Sequence, residues 1–314
     1  MGSGKVDFEE RFSEVVGKPI KTAIPLKEHA SFKIGGKADY FFTAFSLTEF
    51  VQAVNLAREF PVPYYVIGGG YNLLFDDQGF RGLIIKNCAM GIGLRGKAKI
   101  ETLSGTLLSE LLTFCVDKGL KGLEFLAGIP GSVGGAVFGN AGAFDQAIGD
   151  FLTEALLLNE KKKQVEVDRD FFAFGYRYSR LRTSRELLLK ATFELEEGDI
   201  KEIKSRIDEN LAKRAKKQPP WDVACAGSYF KNPVLPDGKR VPAAYLLDQV
   251  GAKNVVVGGA AVFKNHANFI INQKGTTSQN VLSLAQELKR RVKEKFGVEL
   301  EEEVIFLSSK LSKT

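Results

Sequence analysis

Apolar residues recur at helical spacing in "LTEFVQAVNLAREF" (47–60), and the run stops at Pro61, which predicts an amphipathic helix. "VPYYVIGGG" (62–70) then reads as a strand running into glycines, and "GLIIKN" (82–87) as a second strand. "LLSELLTFCVDKGL" (107–120) returns to helical spacing and sets Cys115 on a face with Leu111 and Leu112, the place of a core side chain. Two β-rich runs around a charged turn in "EALLLNEKKKQVEVD" (154–168) predict a hairpin, and "RELLLKATFELEEGD" (185–199) another strand. A charged helix follows from Ile200 to Lys217 and closes at Pro219-Pro220, the best candidate for a domain boundary. Beyond it the pattern predicts helices near 241–250 and 277–296, with strands near 268–272 and 303–307. This is an α+β chain.

Composition narrows the class. A hydrophobic fraction of 44% and a charged fraction of 26% are those of a soluble globular protein, and 314 residues predict two or three domains. The net charge of +6 is mild, and its densest runs, Lys161 to Lys163 and Lys213 to Lys217, read as solvated faces that would also suit an anionic small molecule. No zinc-finger spacing, RNA-binding aromatic signature or basic tail points to nucleic acid. Cys88, Cys115 and Cys225 are odd in number and far apart, which predicts a reducing, cytoplasmic setting. Charged residues interrupt the first twenty positions, so no signal peptide is expected, and Met1-Gly2-Ser3-Gly4 reads as a cloning scar. No apolar run is long enough for a membrane span, "SKL" (309–311) is internal, and no obligate protein partner is evident.

Thirty-two glycines are above average, and their clustering matters more than their number. In "VIGGGYNLLF" (66–75) Gly68, Gly69 and Gly70 follow a strand, where bare backbone can surround a phosphate and Asn72 can add an amide donor. A tight hairpin turn is the alternative. The pattern is not the dinucleotide fingerprint, whose glycines open a helix. "GIPGSVGGAVFGNAGAF" (128–144) holds six glycines in seventeen residues. A backbone this bare can lie flat against a large planar ligand and contact it by amides, and long loops inside domains are usually functional. No cluster of His, Cys and Asp has metal-ligand spacing, so no metal is expected.

"CAGSYFKNP" (225–233) mixes a flexible Gly-Ser pair with two aromatics, a cation, an amide and a proline. Together with "HASFKIGGKADYF" (29–41), "GLEFLAGIPGSVGGAVFGNAGAF", "FGYRYSRLR" (174–182), "KQPPWDVACAGSYFKNP" (217–233), "AAYLLDQVGAK" (243–253), "VFKNHANFIIN" (262–272) and "LEEEVIF" (300–306), the chain resembles the UDP-N-acetylenolpyruvoylglucosamine reductase family. Little chain separates "FGYR" from Lys217, so it resembles the shorter form without an extra substrate-covering insertion. The resemblance implies a vanillyl-alcohol-oxidase-type FAD-binding fold in two subdomains (1–92 and 93–200) and a C-terminal α+β substrate-binding domain (201–314). It implies FAD and NADPH as cofactors and a UDP-sugar substrate, whose enolpyruvyl group is reduced to give UDP-N-acetylmuramate for peptidoglycan synthesis. Flavin contacts would fall on Gly68, Gly69, Gly70, Tyr71 and Asn72, and on Gly128, Ile129, Pro130, Gly131, Ser132, Gly134, Gly135, Asn140, Ala141 and Gly142. Tyr71 departs from the family, which usually has serine there, so a small hydroxyl beside the pyrophosphate gives way to a phenol.

Adding hydride to a vinyl group leaves an enolate next to a carboxylate, which needs a positioned cation and an acid for the carbon. Arg177, flanked by Phe174, Tyr176 and Tyr178, suits the carboxylate, because guanidinium binds it with two prongs. Residues alone leave Glu301, Glu302 and Glu303 equivalent; the resemblance selects Glu303. It also implies Ser228 as the proton donor, with Arg177 and Lys231 available to steady its alkoxide, and Tyr176, Lys217, Asn232 and His266 as substrate or nicotinamide contacts. Three other readings compete: an FAD-dependent oxidase of the same fold acting on an alcohol or sugar, a non-catalytic flavin-binding module, and a cysteine hydrolase using Cys225 and His266.

Overall fold

The computed structural model describes residues 3–309, with side chains from Phe8 onward. Met1 and Gly2, every side chain of the scar, and all but Ser309 of the internal "SKL" therefore lie outside the described residues. The chain divides into two compact units, one of Met1–Lys21, Phe41–Gly69 and Leu83–Arg214, the other of Thr22–Tyr40, Gly70–Gly82 and Ala215–Thr314.

In the first unit the expected helix is Leu47–Glu59. Ser46 caps it, its hydroxyl accepting from Glu49 N at 3.2 Å, and Phe50, Ala53, Val54 and Ala57 form the buried stripe that i, i+3, i+4, i+7 spacing creates. The helix Ser3–Val16, absent from the sequence reading, buries Phe8 and Phe12 one turn apart, and Phe12 meets Phe42 edge-to-face at 5.0 Å. Strands Tyr64–Ile67 and Leu83–Lys86 pair in parallel. Parallel neighbours need a crossover, so Gly68 to Gly70 do not form the hairpin turn that the sequence left open.

A five-stranded antiparallel sheet completes this unit, in the order Gln164–Asp168, Leu152–Leu158, Leu187–Glu194, Lys99–Leu103, Ile92–Leu94. Its first pair is the expected hairpin, with Leu158 opposite Gln164. Helix Leu108–Asp117 packs Leu111 and Cys115 into the core with Phe125, Leu157 and Phe193. Cys115 is thus core filler, and burial pushes its thiol up to about 12.

The second unit is organised by the helix Ser278–Phe296. Thr277 and Asn280 form a reciprocal capping box, and Gly297 ends the helix in the left-handed conformation. Val281, Leu284, Leu288 and Val292 face a core shared with Leu246 and Leu247 of helix Ala243–Gln249 and with Ile270 of a three-stranded sheet. Strand Leu73–Phe75 pairs in parallel with Ile305–Leu307 in the same unit. Among the described residues no helix is long and apolar enough to cross a membrane.

Candidate active site

In the first unit the structure brings the two glycine segments together. Strand Tyr64–Ile67 runs into Gly68, where a Cβ would lie 2.4 Å from Ser132 Oγ. A side chain at this position would have to displace the Ser132 hydroxyl. The segment 128–144 is not the uniform bare wall that its composition predicts. Ser132 caps a helix, Val133–Gly139, with its hydroxyl accepting from Gly135 N at 3.4 Å. The amides of Ile129, Val133, Gly134, Asn140 and Ala141 already donate to carbonyls of Leu126, Thr106, Ser104, Val137 and Ala136. Buried backbone groups must be paired somewhere, and here the fold claims them first.

Asn140 ends this helix in the left-handed conformation, and its side chain works in two directions. Its Nδ2 donates to Gly175 O at 2.9 Å and its Oδ1 accepts from Gly149 N at 3.0 Å. Gly175 and Tyr178 bond to each other through both amides, so Tyr176 and Arg177 form the tip of a tight turn. Arg177 itself has φ of 54°, is half-buried, and donates from Nη1 to Gly142 O at 2.9 Å. Behind the turn Phe174 stacks on Phe172 at 5.1 Å, and Ser179 donates to Phe138 O at 2.8 Å. The expected arginine is therefore fixed against the glycine segment, on a turn. Arg214 stands near it: burial first, and then the Arg177 charge, hold its pKa below the ordinary value.

In the second unit three stretches distant in sequence meet. Tyr229 N donates to Asn268 O at 2.7 Å, and Phe230 exchanges bonds of 2.9 and 2.8 Å with the Asn268 side chain. Glu303 N donates to Tyr229 O at 2.8 Å, and Asn72 Nδ2 donates to Glu303 O at 3.1 Å. Ser228 thus directly precedes a residue whose carbonyl holds Glu303. Asn72 was expected to offer its amide to a phosphate; here that amide donates to Glu303 O, just before the strand Ile305–Leu307. Tyr229 and Phe230 are buried edge-to-face at 5.1 Å, as anchors for the half-buried Ser228. Burial, with the Glu302 charge, raises the Tyr229 pKa and keeps the phenol protonated.

The three glutamates separate. Glu301 is exposed and pairs with Lys231; Glu302 and Glu303 are both half-buried, Glu302 paired with Lys289 and Glu303 bonded through its N to Tyr229 O. The Lys231 ammonium is thus held by an exposed carboxylate. Asn232 accepts from Ala243 N at 3.0 Å through Oδ1, so it also starts the helix Ala243–Gln249. His266 meets Phe269 edge-to-face at 4.8 Å, and its Nδ1 accepts from Asn268 N at 3.3 Å. Burial, the largest influence, lowers its pKa; Asp248 opposes this, and Lys217 and Lys253 push the same way as burial. Tyr71 and Tyr176 are both substantially exposed.

Cys225 does not look like a nucleophile, because burial raises its thiol pKa and a catalytic thiol needs the reverse. Among the described residues no three His, Cys, Asp or Glu side chains gather as metal ligands. Two positions that tie the site's segments together escaped the sequence reading. Asn268 is one asparagine among several in "KNHANFIIN", and Arg214 lies in a charged helix that reads as solvated. No periodicity marks either.

Comparison with known proteins now adds to this geometry. Residues 38–168 match the FAD binding domain family, and residues 218–307 match the UDP-N-acetylenolpyruvoylglucosamine reductase C-terminal domain. The UDP-N-acetylenolpyruvoylglucosamine reductase of Clostridium botulinum (strain Eklund 17B) is 37% identical over 279 residues, 89% of this chain and 90% of the relative. That of Clostridium novyi (strain NT) is 36% identical over 300 residues, 95% of this chain and 96% of the relative. The crystal structure of the Thermus caldophilus reductase superposes with a TM-score of 0.76 at 30% identity, covering 91% of this chain and 98% of that one. Identity at this level, sustained across both units, goes beyond a shared fold, and the chain belongs to the UDP-N-acetylenolpyruvoylglucosamine reductase family.

Proposed function

We propose that this chain reduces the enolpyruvyl group of UDP-N-acetylenolpyruvoylglucosamine to UDP-N-acetylmuramate in the cytoplasm, with FAD as resident cofactor and NADPH as reductant. The carrying observation is the bond from Glu303 N to Tyr229 O, which sets the backbone of Glu303 beside that of Ser228, with Asn72 donating to Glu303 O. The FAD site belongs with the first unit, where Gly68, lacking a side chain, lets the strand end lie against the Ser132 cap of the second glycine segment. Residues Gly68, Gly69, Gly128 to Ser132 and Asn140 to Gly142 would hold FAD there. When bound, FAD supplies hydride transfer from the nicotinamide to the substrate double bond.

The chain's own residues then have separate tasks. Arg177 binds the substrate carboxylate, and its turn, locked by Asn140, keeps the guanidinium oriented. The Ser228 hydroxyl gives its proton to the substrate carbon as the enolate collapses, and Glu303 orients that transfer. Lys217, Asn232 and His266 bind the UDP-sugar or nicotinamide, and no obligate protein partner is needed. The experiment is anaerobic absorbance of the purified holoenzyme. Flavin bands should bleach with NADPH and return on addition of the enolpyruvyl substrate. Bands that NADPH leaves untouched, or that return only with oxygen, would place the chain among oxidases or non-catalytic flavin modules.

A further inference from the structure

The helix Ile200–Ala215 contributes little to the core of its unit, with Ile203 its buried side chain and Ile207 packed partly against the core. Its polar contacts concentrate instead in its last two turns. Asn210 Nδ2 donates to Glu124 O at 3.0 Å, and Arg214 Nη2 donates to Phe125 O at 3.3 Å. Both carbonyls belong to the single 3-10 turn Glu124–Leu126, which leads through Ala127 into Gly128. From the other side of that turn the Glu124 carboxylate accepts from Gly122 N at 2.8 Å.

The same helix end touches the glycine segment at both limits. At Gly128, φ is 75°, and a Cβ would sit 2.8 Å from Arg214 Cδ and 3.2 Å from Leu211 Cδ2. The backbone therefore lies directly on the helix's side chains, where any other residue would lift it away. At the far end the Lys213 ammonium and the Arg214 guanidinium each lie 5.6 Å from the centre of the Phe144 ring. A mostly solvated helix has thus spent its polar reach on the turn that starts the glycine segment and on the aromatic that ends it.

We propose that Asn210 and Arg214 are positioning residues for the flavin, holding the Glu124–Leu126 turn so that the glycine segment presents its backbone at a fixed place. They act through the segment and not by touching the ring system. The proposal rests on the reading of residues 128–142 as the flavin wall. Its physical basis is preorganisation: a backbone held in its bound shape loses less freedom when the ligand arrives.

Dilution of the holoenzyme, followed by the recovery of free-flavin fluorescence, measures FAD release. Asn210→Leu keeps the volume and removes the donor, and should raise the FAD dissociation constant about fivefold, the scale of one net hydrogen bond. Its thermal midpoint in excess FAD should stay close to that of the unmodified protein. Should this variant not fold, Arg214→Met, which keeps the stem across Gly128 and loses the bond to Phe125 O, carries the same expectation. Ile203→Ala is the control: it loosens the helix in the core, so it should lower the midpoint and leave the dissociation constant unchanged. An unchanged FAD affinity in the first two variants, or an equal loss in Ile203→Ala, overturns the proposal. An unmodified protein that holds no FAD would instead overturn the flavoenzyme reading itself.

Discussion

Ser228 shows how much one side chain depends on its neighbours. An aliphatic hydroxyl is a poor acid, so its use as one requires a fixed carbon acceptor and a backbone that does not drift. Tyr229, bonded to Asn268 O and to Glu303 N and buried in the core, supplies that fixity from the adjacent position. Ser228→Ala should leave flavin reduction by NADPH near normal and slow flavin reoxidation by the enolpyruvyl substrate about 10²-fold, the scale of a lost general acid. Stopped-flow absorbance reads the two halves separately, and equal slowing of both would make the serine structural. His266 supports a different residue-scale prediction. Its folded pKa lies below the ordinary 6.5, so near that pH the unfolded chain binds more protons than the folded one. The stability it contributes is complete above the unfolded value and is lost as pH falls toward the folded one. Between about pH 7 and pH 5 the unfolding midpoint of the unmodified protein should therefore fall more than that of His266→Gln. Parallel pH profiles would show that the ring charges in the fold without cost.

Asn268 is where residue chemistry becomes an element. Its side chain is buried and satisfies both backbone groups of Phe230, standing in for the strand partner that this stretch lacks on that side. Asn268→Ala leaves a buried N–H and C=O unpaired and should cost about 3 kcal/mol, seen as an earlier denaturation midpoint. A loss below about 1 kcal/mol would mean that water replaces the amide. The elements that were legible in the sequence share one property: their stabilising pattern is local. Helix Ser278–Phe296 carries its own apolar stripe and both caps, and the hairpin Leu152–Leu158 to Gln164–Asp168 carries its own turn. Helix Val133–Gly139 was hidden because glycines disfavour helix, and it forms through the Ser132 cap and the burial of Val133, Ala136 and Val137. The pairing of Leu73–Phe75 with Ile305–Leu307 was equally hidden, since strand pairing partners carry no local mark. The site follows the same rule. Ser228, Arg177 and Glu303 came from motifs, whereas Asn268, Arg214 and the Lys231–Glu301 pair exist only once distant segments meet.

At the scale of the whole molecule the chain alternates between its two units, changing unit after Lys21, Tyr40, Gly69, Gly82 and Arg214. A cut at the Pro219-Pro220 boundary that the sequence suggests would therefore not separate them. A fragment ending at Arg214 keeps Thr22–Tyr40 and Gly70–Gly82 but loses the rest of the second unit. Phe32 and Leu74, fully buried in that unit's core, would then face water, and strand Leu73–Phe75 would lose its parallel partner. Exposing two such side chains costs about 4 kcal/mol, a large share of a typical domain's stability. An open strand edge beside them invites association. The fragment should consequently bind a hydrophobic dye and run as aggregates on gel filtration, even though the residues proposed to form the flavin wall are all present. A monomeric fragment that melts cooperatively without dye binding would show that the first unit folds around those two insertions unaided.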